Sequence, residues 1–369
     1  MTSLEEDDRP VYLAGDFNDW NPQHADFQLT KDRGTYSIEL QLPAGVTEVA
    51  FKFTRGGWEN GEIDKHGNIT PNRVAAVDAG SVETIVDRWR TNWSPYKPVF
   101  SPIIELVSDA FEIPQLQKTR RVWALLPHDY HDNTDRYPVL YLQDAQNLFN
   151  ESSEFGNWEI DKKLSILAEY GRGDVIIVAV EHGEKDRAKE YTLGPNKVLN
   201  GSEGKKMIRF MADTLKTYID KRYRTQPGRE TTGIGGSSLG GLISIYAGFL
   251  YPEVYSKLMI FSPSLWAAPT LTFPMLPLLD PFVSKVYMYA GDNESAHLVT
   301  HVRSFVQRMQ QQVAHIEAEL IFKTSFRAGG QHREFYWAQE FPRALEWLFY
   351  DSSEDALLVS SRKKNRIHD

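Results

Sequence analysis

The chain has 369 residues, a formal net charge of −9, 41% hydrophobic residues and no cysteine. This length fits two average domains with a sizeable core, and the acidic balance argues against nucleic acid or an anionic membrane as a partner. The absence of cysteine excludes disulfides, thiolate metal sites and a cysteine nucleophile.

The first residues, MTSLEEDDRPVYLAGDF, lack the basic segment followed by an apolar segment that marks a signal peptide or a membrane anchor. No apolar run reaches the roughly 18 residues of a membrane-spanning helix. We therefore expect a soluble chain that is cytoplasmic as written, or periplasmic or secreted if a leader has been removed.

Residues 1–88 carry short, partly alternating apolar runs between turn-rich segments, a pattern that predicts a small all-β, immunoglobulin-like sandwich. The runs are VYLAGDF, TYSIELQL, EVAFKFT and SVETIVDRW. Residues 89–102 are rich in proline and aromatic side chains and are predicted to form an extended linker. We expect Trp89, Trp93 and Tyr96 to pack against protein, because exposed aromatic clusters are unfavourable.

Residues 103–350 change to nearly continuous apolar runs, which are typical of strands buried on both faces of a parallel sheet. Four such runs occur, at 137–144, 174–182, 257–264 and 285–292. Helical periodicity lies between and after them, at 202–222, where Ser202 is a candidate N-cap, and at 335–350. The pattern predicts an α/β domain with helices on both faces of the sheet, followed by a frayed polar tail at 351–369.

The stretch GIGGSSLGGLISIYAG, at 233–248, joins a predicted strand to a predicted helix. Within it, GSSLG fits the pattern G-x-S-x-G with Ser238 at the centre, whereas Ser237 fits only a shifted frame without the closing glycine. A nucleophile on a sharp strand-to-helix turn needs neighbours without side chains, and the helix N-terminus supplies N–H groups for an oxyanion. The pattern predicts Ser238 as the nucleophile, and the missing Gly-Lys-Ser/Thr ending excludes a phosphate-binding loop.

A catalytic serine needs a base, which follows it in this architecture. His301 and His315 lie in a charged helical stretch and are expected to be solvated. His332 lies in FRAGGQHREFYW, a Gly-rich loop between a predicted strand and the last helix. Because that loop lets the imidazole reach back over the sheet, His332 is the predicted base.

The acid that orients the base is expected between the serine and the histidine. The loop after the strand KVYMYAG offers Glu294 and Asp292, both at the carboxyl end of a strand, where catalytic groups gather in open α/β sheets. Glu294 is favoured and Asp292 is the alternative. The acid would hold the imidazole tautomer and stabilise the imidazolium.

Residues 103–350 resemble the putative-esterase family of α/β-hydrolases, which includes feruloyl and acetyl-xylan esterases, ferric-enterobactin esterases, S-formylglutathione hydrolase and the mycolyltransferases. The matching segments include RYPVLYLQDAQNLF, GNWEIDKKL, GGSSLGGLISIYAGF, YAGDNES and GGQHREFYW, in family order. Within the family the chain looks most like the enterobactin-esterase-like and uncharacterised bacterial branches. The resemblance implies an α/β-hydrolase fold, no cofactor, and a triad of Ser238, Glu294 and His332.

The family's usual LDGQN is QDAQN in this chain, so that Ala145 replaces a glycine. Alanine keeps the N–H of the second oxyanion donor but does not easily adopt a positive φ. The resemblance implies that the donors are the N–H of Leu239 and that of Ala145 or Gln146. It also implies a substrate cleft lined by Trp158, Arg187, Glu190, Tyr191 and Trp266. The alternatives are a fold-stabilising Arg187–Glu190 pair and a place for Trp266 in the core.

The first domain resembles the starch- and glycogen-binding β-sandwich modules found beside glucan-active enzymes and in AMP-activated kinase. The segments VYLAGDFNDWNP, AFKFTRGGWENGE and DKHGNITPNR carry the resemblance. It implies sugar contacts by Trp20, Lys52, Trp58 and Asn72, since tryptophan faces stack on pyranose rings while lysine and asparagine bind hydroxyls. The alternative is a structural module that caps the hydrolase cleft.

Together these patterns predict a serine carboxylic-ester hydrolase that works through an acyl-enzyme on a small-molecule or carbohydrate ester or a siderophore lactone. An acyltransferase to a sugar or other alcohol and a non-catalytic carbohydrate-binding protein are the alternatives. We expect no metal, because His128 and His131 in PHDYHD lie in a turn after a strand. No nucleic acid or membrane partner is expected.

Overall fold

The computed structural model describes residues 1–5, 7–149, 153, 156–193, 202–268, 282–314 and 318–350. His315 and the predicted tail at 351–369 lie outside these residues. The chain divides into two compact units, of which the first comprises Met1–Val99 with Ser165–Leu167 and the second contains the rest. Within the described ranges, no helix is long and apolar enough to cross a membrane.

The N-terminal unit is a small β-sandwich, which confirms the predicted fold class. Its nine strands are β1 (Thr2–Ser3), β2 (Tyr12–Gly15), β3 (Thr30–Asp32), β4 (Thr35–Ser37), β5 (Glu48–Thr54), β6 (Glu62–Ile63), β7 (Arg73–Ala76), β8 (Ile85–Val86) and β9 (Arg88–Trp89). They form sheets in the orders β3-β4-β1-β8, β2-β5-β7 and β6-β9. In β5, Val49, Phe51 and Phe53 alternate inward and are buried in the core of this unit, as a half-buried strand requires.

The segment predicted as a linker begins inside this sandwich. Trp89 closes β9, is 5% exposed, and its indole N–H donates to Ser3 Oγ at 2.8 Å. Arg90 N–H donates to Gly61 O at 3.0 Å, and the compact unit continues to Val99. Trp93, which was expected to pack, is 61% exposed. The linker prediction missed these backbone hydrogen bonds because proline and aromatic content does not reveal them.

The second unit is built on an eight-stranded sheet in the order β10-β11-β13-β12-β14-β15-β16-β17. Its strands are β10 (Ile103–Ile113), β11 (Lys118–Leu126), β12 (Val139–Gln143), β13 (Ile176–Val180), β14 (Thr232–Ser237), β15 (Lys257–Phe261), β16 (Phe282–Gly291) and β17 (Ala318–Arg327). β11 is antiparallel to β10 and to β13, and every pair from β13 to β17 is parallel. This mostly parallel sheet confirms the predicted α/β-hydrolase fold.

Helices cover the sheet. Every residue of β12, β13 and β14 is buried as a result. They are α1 (Ile160–Glu169), α2 (Arg187–Glu190), α3 (Gly204–Arg209), α4 (Lys216–Arg222), α5 (Leu239–Leu250), α6 (Leu298–Val313) and α7 (Glu334–Phe349). The helix predicted at 202–222 contains a π-helical turn, Phe210–Leu215, between α3 and α4. Ser202 is not its N-cap, because Glu203 occupies that position.

The strand order places a topological switch point at β12. The chain passes from β12 to β13 on one side and then crosses to β14 on the other side of β12. Ligands of open α/β sheets bind outside the carboxyl ends of the strands at such a point. The carboxyl ends of β12 and β14 are therefore where a site is expected.

Candidate active site

Ser238 lies on the sharp turn between β14 and α5, with φ 57° and ψ −122°. A side-chain-bearing residue rarely adopts this conformation, and such strain concentrates at functional sites. The turn is held by the Ser238 N–H, which donates to Phe261 O at 2.9 Å. A Cβ on Gly236 would lie 2.8 Å from the Gly240 backbone, and one on Gly240 would lie 2.7 Å from Asp144 Oδ2. Backbone packing therefore requires glycine at 236, and a side chain at 240 would displace the Asp144 carboxylate.

The Ser238 hydroxyl is partly accessible and contacts the Ser264 hydroxyl, with 3.2 Å between the oxygens. Leu239 is the first residue of α5, so its N–H has no partner within the helix. Ser237 is the last residue of β14 and is 7% exposed. Of the two serines, Ser238 is thus the one on the strained turn, at the position that the sequence frame indicates.

Glu294 and His332 meet after β16 and β17. His332 Nδ1 lies 2.7 Å from Glu294 Oε2. Glu294 is almost fully buried, and its Oε1 accepts hydrogen bonds from Ser262 Oγ at 2.7 Å and Gly291 N–H at 2.6 Å. The carboxylate is thereby held in one orientation toward the imidazole, an arrangement that can fix the tautomer with Nε2 free to accept a proton.

Asp292, the alternative acid, points elsewhere. Its Oδ1 accepts the Gly329 N–H at 2.8 Å, and the residue is exposed. Gly329 belongs to the loop that carries His332, so Asp292 ties the base of that loop. Within the described residues Asp292 forms no hydrogen bond to a histidine.

Trp337 and Ser262, which sequence reasoning missed, contact the candidate acid and base. Trp337, in the first turns of α7, donates its indole N–H to Ser262 Oγ at 2.9 Å. Its ring meets the His332 imidazole edge-on, with 5.0 Å between centroids. These contacts, which run from Trp337 through Ser262 and Glu294 to His332, therefore fix the orientation of the imidazole ring. The signal in the sequence was the tryptophan five residues after His332, on a helix start.

The loop after β12 carries the predicted second oxyanion donor. Asp144 has φ 62° and ψ 51°, and Ala145–Asn147 form a 3-10 turn. The positive φ thus falls on Asp144 and not on Ala145, so alanine in place of the family's glycine requires no strain. The described residues provide no hydrogen-bond acceptor for the N–H of Leu239, Ala145 or Gln146.

Arg187 pairs with Asp144 and not with Glu190. Its Nε and Nη2 bond the two Asp144 carboxylate oxygens, each at 2.8 Å. Burial alone would lower the Arg187 pKa, but the Asp144 charge reverses this and raises it. The guanidinium also lies 5.3 Å from the centre of the Tyr191 ring.

Three of the residues predicted to line the cleft are buried. Glu190 and Tyr191 are 0% exposed, and Glu190 bonds Arg120 and Lys118. Trp158 is 1% exposed and stacks on Phe261 at 5.1 Å. The prediction that they line the cleft was wrong. A motif shared in sequence does not distinguish a residue that lines a cleft from one that is buried and supports the fold.

Trp266 has the opposite outcome. It is 60% exposed, so the alternative place in the core is excluded. It lies two residues after Ser264, which contacts the Ser238 hydroxyl. An exposed indole two residues from Ser264, which contacts the candidate nucleophile Ser238, is a candidate substrate contact.

Glu334 is a second carboxylate near the base, two residues after His332. It is 8% exposed, and its Oε1 accepts the Asn147 Nδ2–H at 3.4 Å. Burial raises the Glu334 pKa, while the charges of His332 and Arg187 oppose the rise and that of Asp144 adds to it. Glu334 thus connects the start of α7 to the loop after β12.

Three neighbouring strands end in the same way. Asp144, Ser238 and Ser262 each directly follow β12, β14 and β15, and each has a positive φ, of 62°, 57° and 44°. The first holds Arg187, the second is the candidate nucleophile, and the third holds Glu294. Non-glycine strain in register across three strands marks this edge as a built site.

In the N-terminal unit, two of the predicted sugar-binding residues come together. The Trp20 and Trp58 rings lie 6.4 Å apart at 36°. Lys52 donates its ammonium to Thr70 O, and burial lowers its pKa. Asn72 is exposed. Across the described part of both units, no group of three or more acidic, histidine or cysteine side chains could hold a metal.

A protein-family model described as "Putative esterase" matches residues 113–348. An uncharacterized Bacillus subtilis protein, YbbA, is 24% identical over 242 residues, which span 62% of this chain and 92% of that protein. A solved structure of an IroE-like serine hydrolase from Shewanella oneidensis is 18% identical with a TM-score of 0.51, over 68% of this chain and 81% of that one. The likeness to this solved structure supports the α/β-hydrolase fold of the second unit.

A different relative matches the N-terminal region. An α-amylase from Niallia circulans is 42% identical over 85 residues, which span 22% of this chain and 6% of the amylase. The shared part is therefore a small module of that enzyme. This finding agrees with the resemblance to starch-binding sandwiches.

Proposed function

The chain belongs to the esterase family and is a carboxylic ester hydrolase, and from that premise we propose that it works as a serine esterase through Ser238, His332 and Glu294. The observation that carries this proposal is the Glu294–His332 pair, in which the carboxylate is buried and the imidazole is 43% exposed, at the same edge of the sheet as the strained turn of Ser238. Ser238 attacks the ester carbonyl while His332 takes its proton. His332 then delivers that proton to the leaving alcohol, and water cleaves the acyl-enzyme.

The oxyanion of the tetrahedral intermediate is bound by the Leu239 N–H and by that of Ala145 or Gln146. Donors of this kind contribute about 100- to 1,000-fold each in rate. The Asp144–Arg187 pair and the Asn147–Glu334 contact hold the loop in place. Arg187 is thus a supporting residue in this proposal.

We propose a carbohydrate ester as the substrate class. The exposed Trp266 offers an aromatic surface beside the nucleophile's neighbour, and the N-terminal module is similar to part of an α-amylase. We further propose that this module binds glucan through the Trp20 and Trp58 rings. A siderophore lactone is the competing substrate, and an alcohol acceptor in place of water would make the enzyme an acyltransferase.

Labelling by a fluorophosphonate tests the mechanism. The wild type and Ser237→Ala should be labelled, whereas Ser238→Ala should not. Labelling that persists in Ser238→Ala and vanishes in Ser237→Ala would reject the assignment of the nucleophile.

A panel of p-nitrophenyl acyl esters, feruloyl and acetyl sugars and catecholate trilactones then tests the substrate class. The expected result is the highest kcat/KM for an acylated sugar. Adding alcohol acceptors and assaying for transesters separates hydrolase from transferase. A preference for the trilactone would overturn the carbohydrate proposal.

A further inference from the structure

The N-terminal unit carries a two-residue hairpin turn at Asn92-Trp93. Thr91 and Ser94 exchange both backbone hydrogen bonds at 3.0 Å. Asn92 has φ 48° and Trp93 has φ 69°, and two positive values in succession are the signature of a type I′ turn. The second position of that turn favours glycine, so a tryptophan there is strained.

Trp93 has contacts at both its backbone and its ring. Its backbone N–H donates to Glu59 O at 2.8 Å, and the Arg90 guanidinium lies 4.8 Å from the ring centre. The residue is nevertheless 61% exposed. A large aromatic side chain that is both strained and exposed buries little apolar surface, and such conformations persist where they have a function.

Arg90 connects this ring to the Trp20–Trp58 pair. Its Nη2 donates to Trp58 O at 2.6 Å, and the Trp58 ring lies 6.4 Å from that of Trp20. The Arg90 charge also reaches Lys52, whose pKa is lowered by burial first and by Arg90 in addition. Trp93 therefore lies beside the residues of the proposed sugar site, with Glu59 and Arg90 as polar neighbours.

Trp20 shares the backbone strain of Trp93. Asp19 and Trp20 have φ of 52° and 57°, again two positive values in succession. Trp58 follows Gly57, whose φ is 127°. All three tryptophans are thus placed by turns that an ordinary strand sequence would not form.

We propose that Trp93 is a third stacking residue of the glucan site, which extends it by one pyranose unit beyond the Trp20–Trp58 pair. The inference rests on the proposed glucan binding by this module. The face of the Trp93 ring that is turned away from Arg90 stacks on the apolar face of a sugar ring, while Arg90 holds the indole from the other side. Trp93 then determines chain-length preference.

Calorimetric titration of the full-length chain with linear α-1,4-glucans of three and seven glucose units tests this. Trp93→Ala should weaken binding of the seven-unit glucan about 3- to 10-fold, because one aromatic contact is lost. Binding of the three-unit glucan should change little. Trp93→Phe should retain most of the affinity, and Leu4→Ala, at another exposed apolar residue of this unit, should have no effect.

Trp93→Gly separates folding from binding, since glycine suits the turn and the variant should lose the same affinity while folding normally. Equal seven-unit affinity in the wild type and in Trp93→Ala would overturn the role of Trp93 and leave the glucan proposal standing. If the wild type binds neither glucan, the glucan proposal fails, and this inference fails with it. Hydrolysis of p-nitrophenyl acetate should be unchanged in every Trp93 variant.

Discussion

The two units of this chain use strained backbone in different ways. In the hydrolase unit, the non-glycine residues with positive φ include Asp144, Ser238 and Ser262, which directly follow three neighbouring parallel strands. In the N-terminal unit, they include the two consecutive pairs Asp19–Trp20 and Asn92–Trp93, which lie in turns. The first arrangement places polar residues at the carboxyl ends of adjacent strands, whereas the second places the tryptophans Trp20 and Trp93, of which Trp93 is exposed, in tight turns.

The difference follows from what enforces the strain. β12 and β14 are buried at every position, so the turns that leave them are determined by close packing on both faces of the sheet. The hairpin at Trp93 is held by its own hydrogen bonds and by Arg90 and Glu59. Substitutions at the strained positions of the hydrolase unit should therefore be less well tolerated than substitutions at those of the N-terminal unit.

The largest expected effect concerns the two carboxylates after β16. Glu294→Gln should lower kcat/KM on the order of 10⁴-fold, because the imidazole loses the partner that sets its tautomer. Asp292→Asn, the matched control, should cost far less, since the Asp292 carboxylate accepts a hydrogen bond from the Gly329 N–H and, among the described residues, none from a histidine. Steady-state kinetics on p-nitrophenyl acetate measure both. If Asp292→Asn is the damaging change, the assignment of Glu294 is wrong.

The next effect measures backbone strain at Ser238, the proposed nucleophile. Ser238→Gly should be more stable than Ser238→Ala by about 1–2 kcal/mol, because only glycine is relaxed at this φ and ψ. Glycine is ordinarily the less stable of the two. The difference corresponds to about 2–4 °C in Tm per kcal/mol. An alanine variant that melts at or above the glycine variant would show that no strain is stored there.

The same pair of substitutions in the N-terminal unit should give a smaller difference. Trp93→Gly is expected to exceed Trp93→Ala in stability by about 1 kcal/mol, since glycine suits the second position of a type I′ turn. Urea unfolding of the full-length chain measures it. A difference as large as that at Ser238 would contradict the contrast between packing and local turns.

The smallest expected effect is a change in the pH dependence of stability when Glu334 is replaced. Burial raises its pKa above the unfolded value, so the stability that it contributes is present below the unfolded pKa of about 4.3 and is lost as pH rises through the folded pKa. Neutral glutamine has no such loss. Relative to the wild type, Glu334→Gln should therefore gain stability from about pH 4 to pH 7. Urea unfolding at pH 4 and pH 7 measures this. If the free energy of unfolding of Glu334→Gln differs from that of the wild type by the same amount at both pH values, the prediction is contradicted.

The sequence by itself determined the parts of this protein that depend on local pattern. Continuous apolar runs predicted β12, β13, β15 and β16 because strands buried on both faces need no alternation. The G-x-S-x-G frame predicted the turn at Ser238 because the glycines answer a steric need within a few residues. The strand β5 matches its predicted run from Glu48 to Thr54 for the same local reason.

Only the tertiary structure decided which side chains meet. The pairing of Arg187 with Asp144, the burial of Trp158 and the orientation of Glu294, but not Asp292, toward His332 all depend on groups far apart in the chain. The chain spacings of such partners, 43 residues for Asp144–Arg187 and 38 for Glu294–His332, carry no periodic signal, because contact at the edge of a sheet is set by strand order. The same holds for Trp93, which lies in the segment that the sequence predicted as a linker. Its contacts with Arg90 and Glu59 are visible only in the tertiary structure.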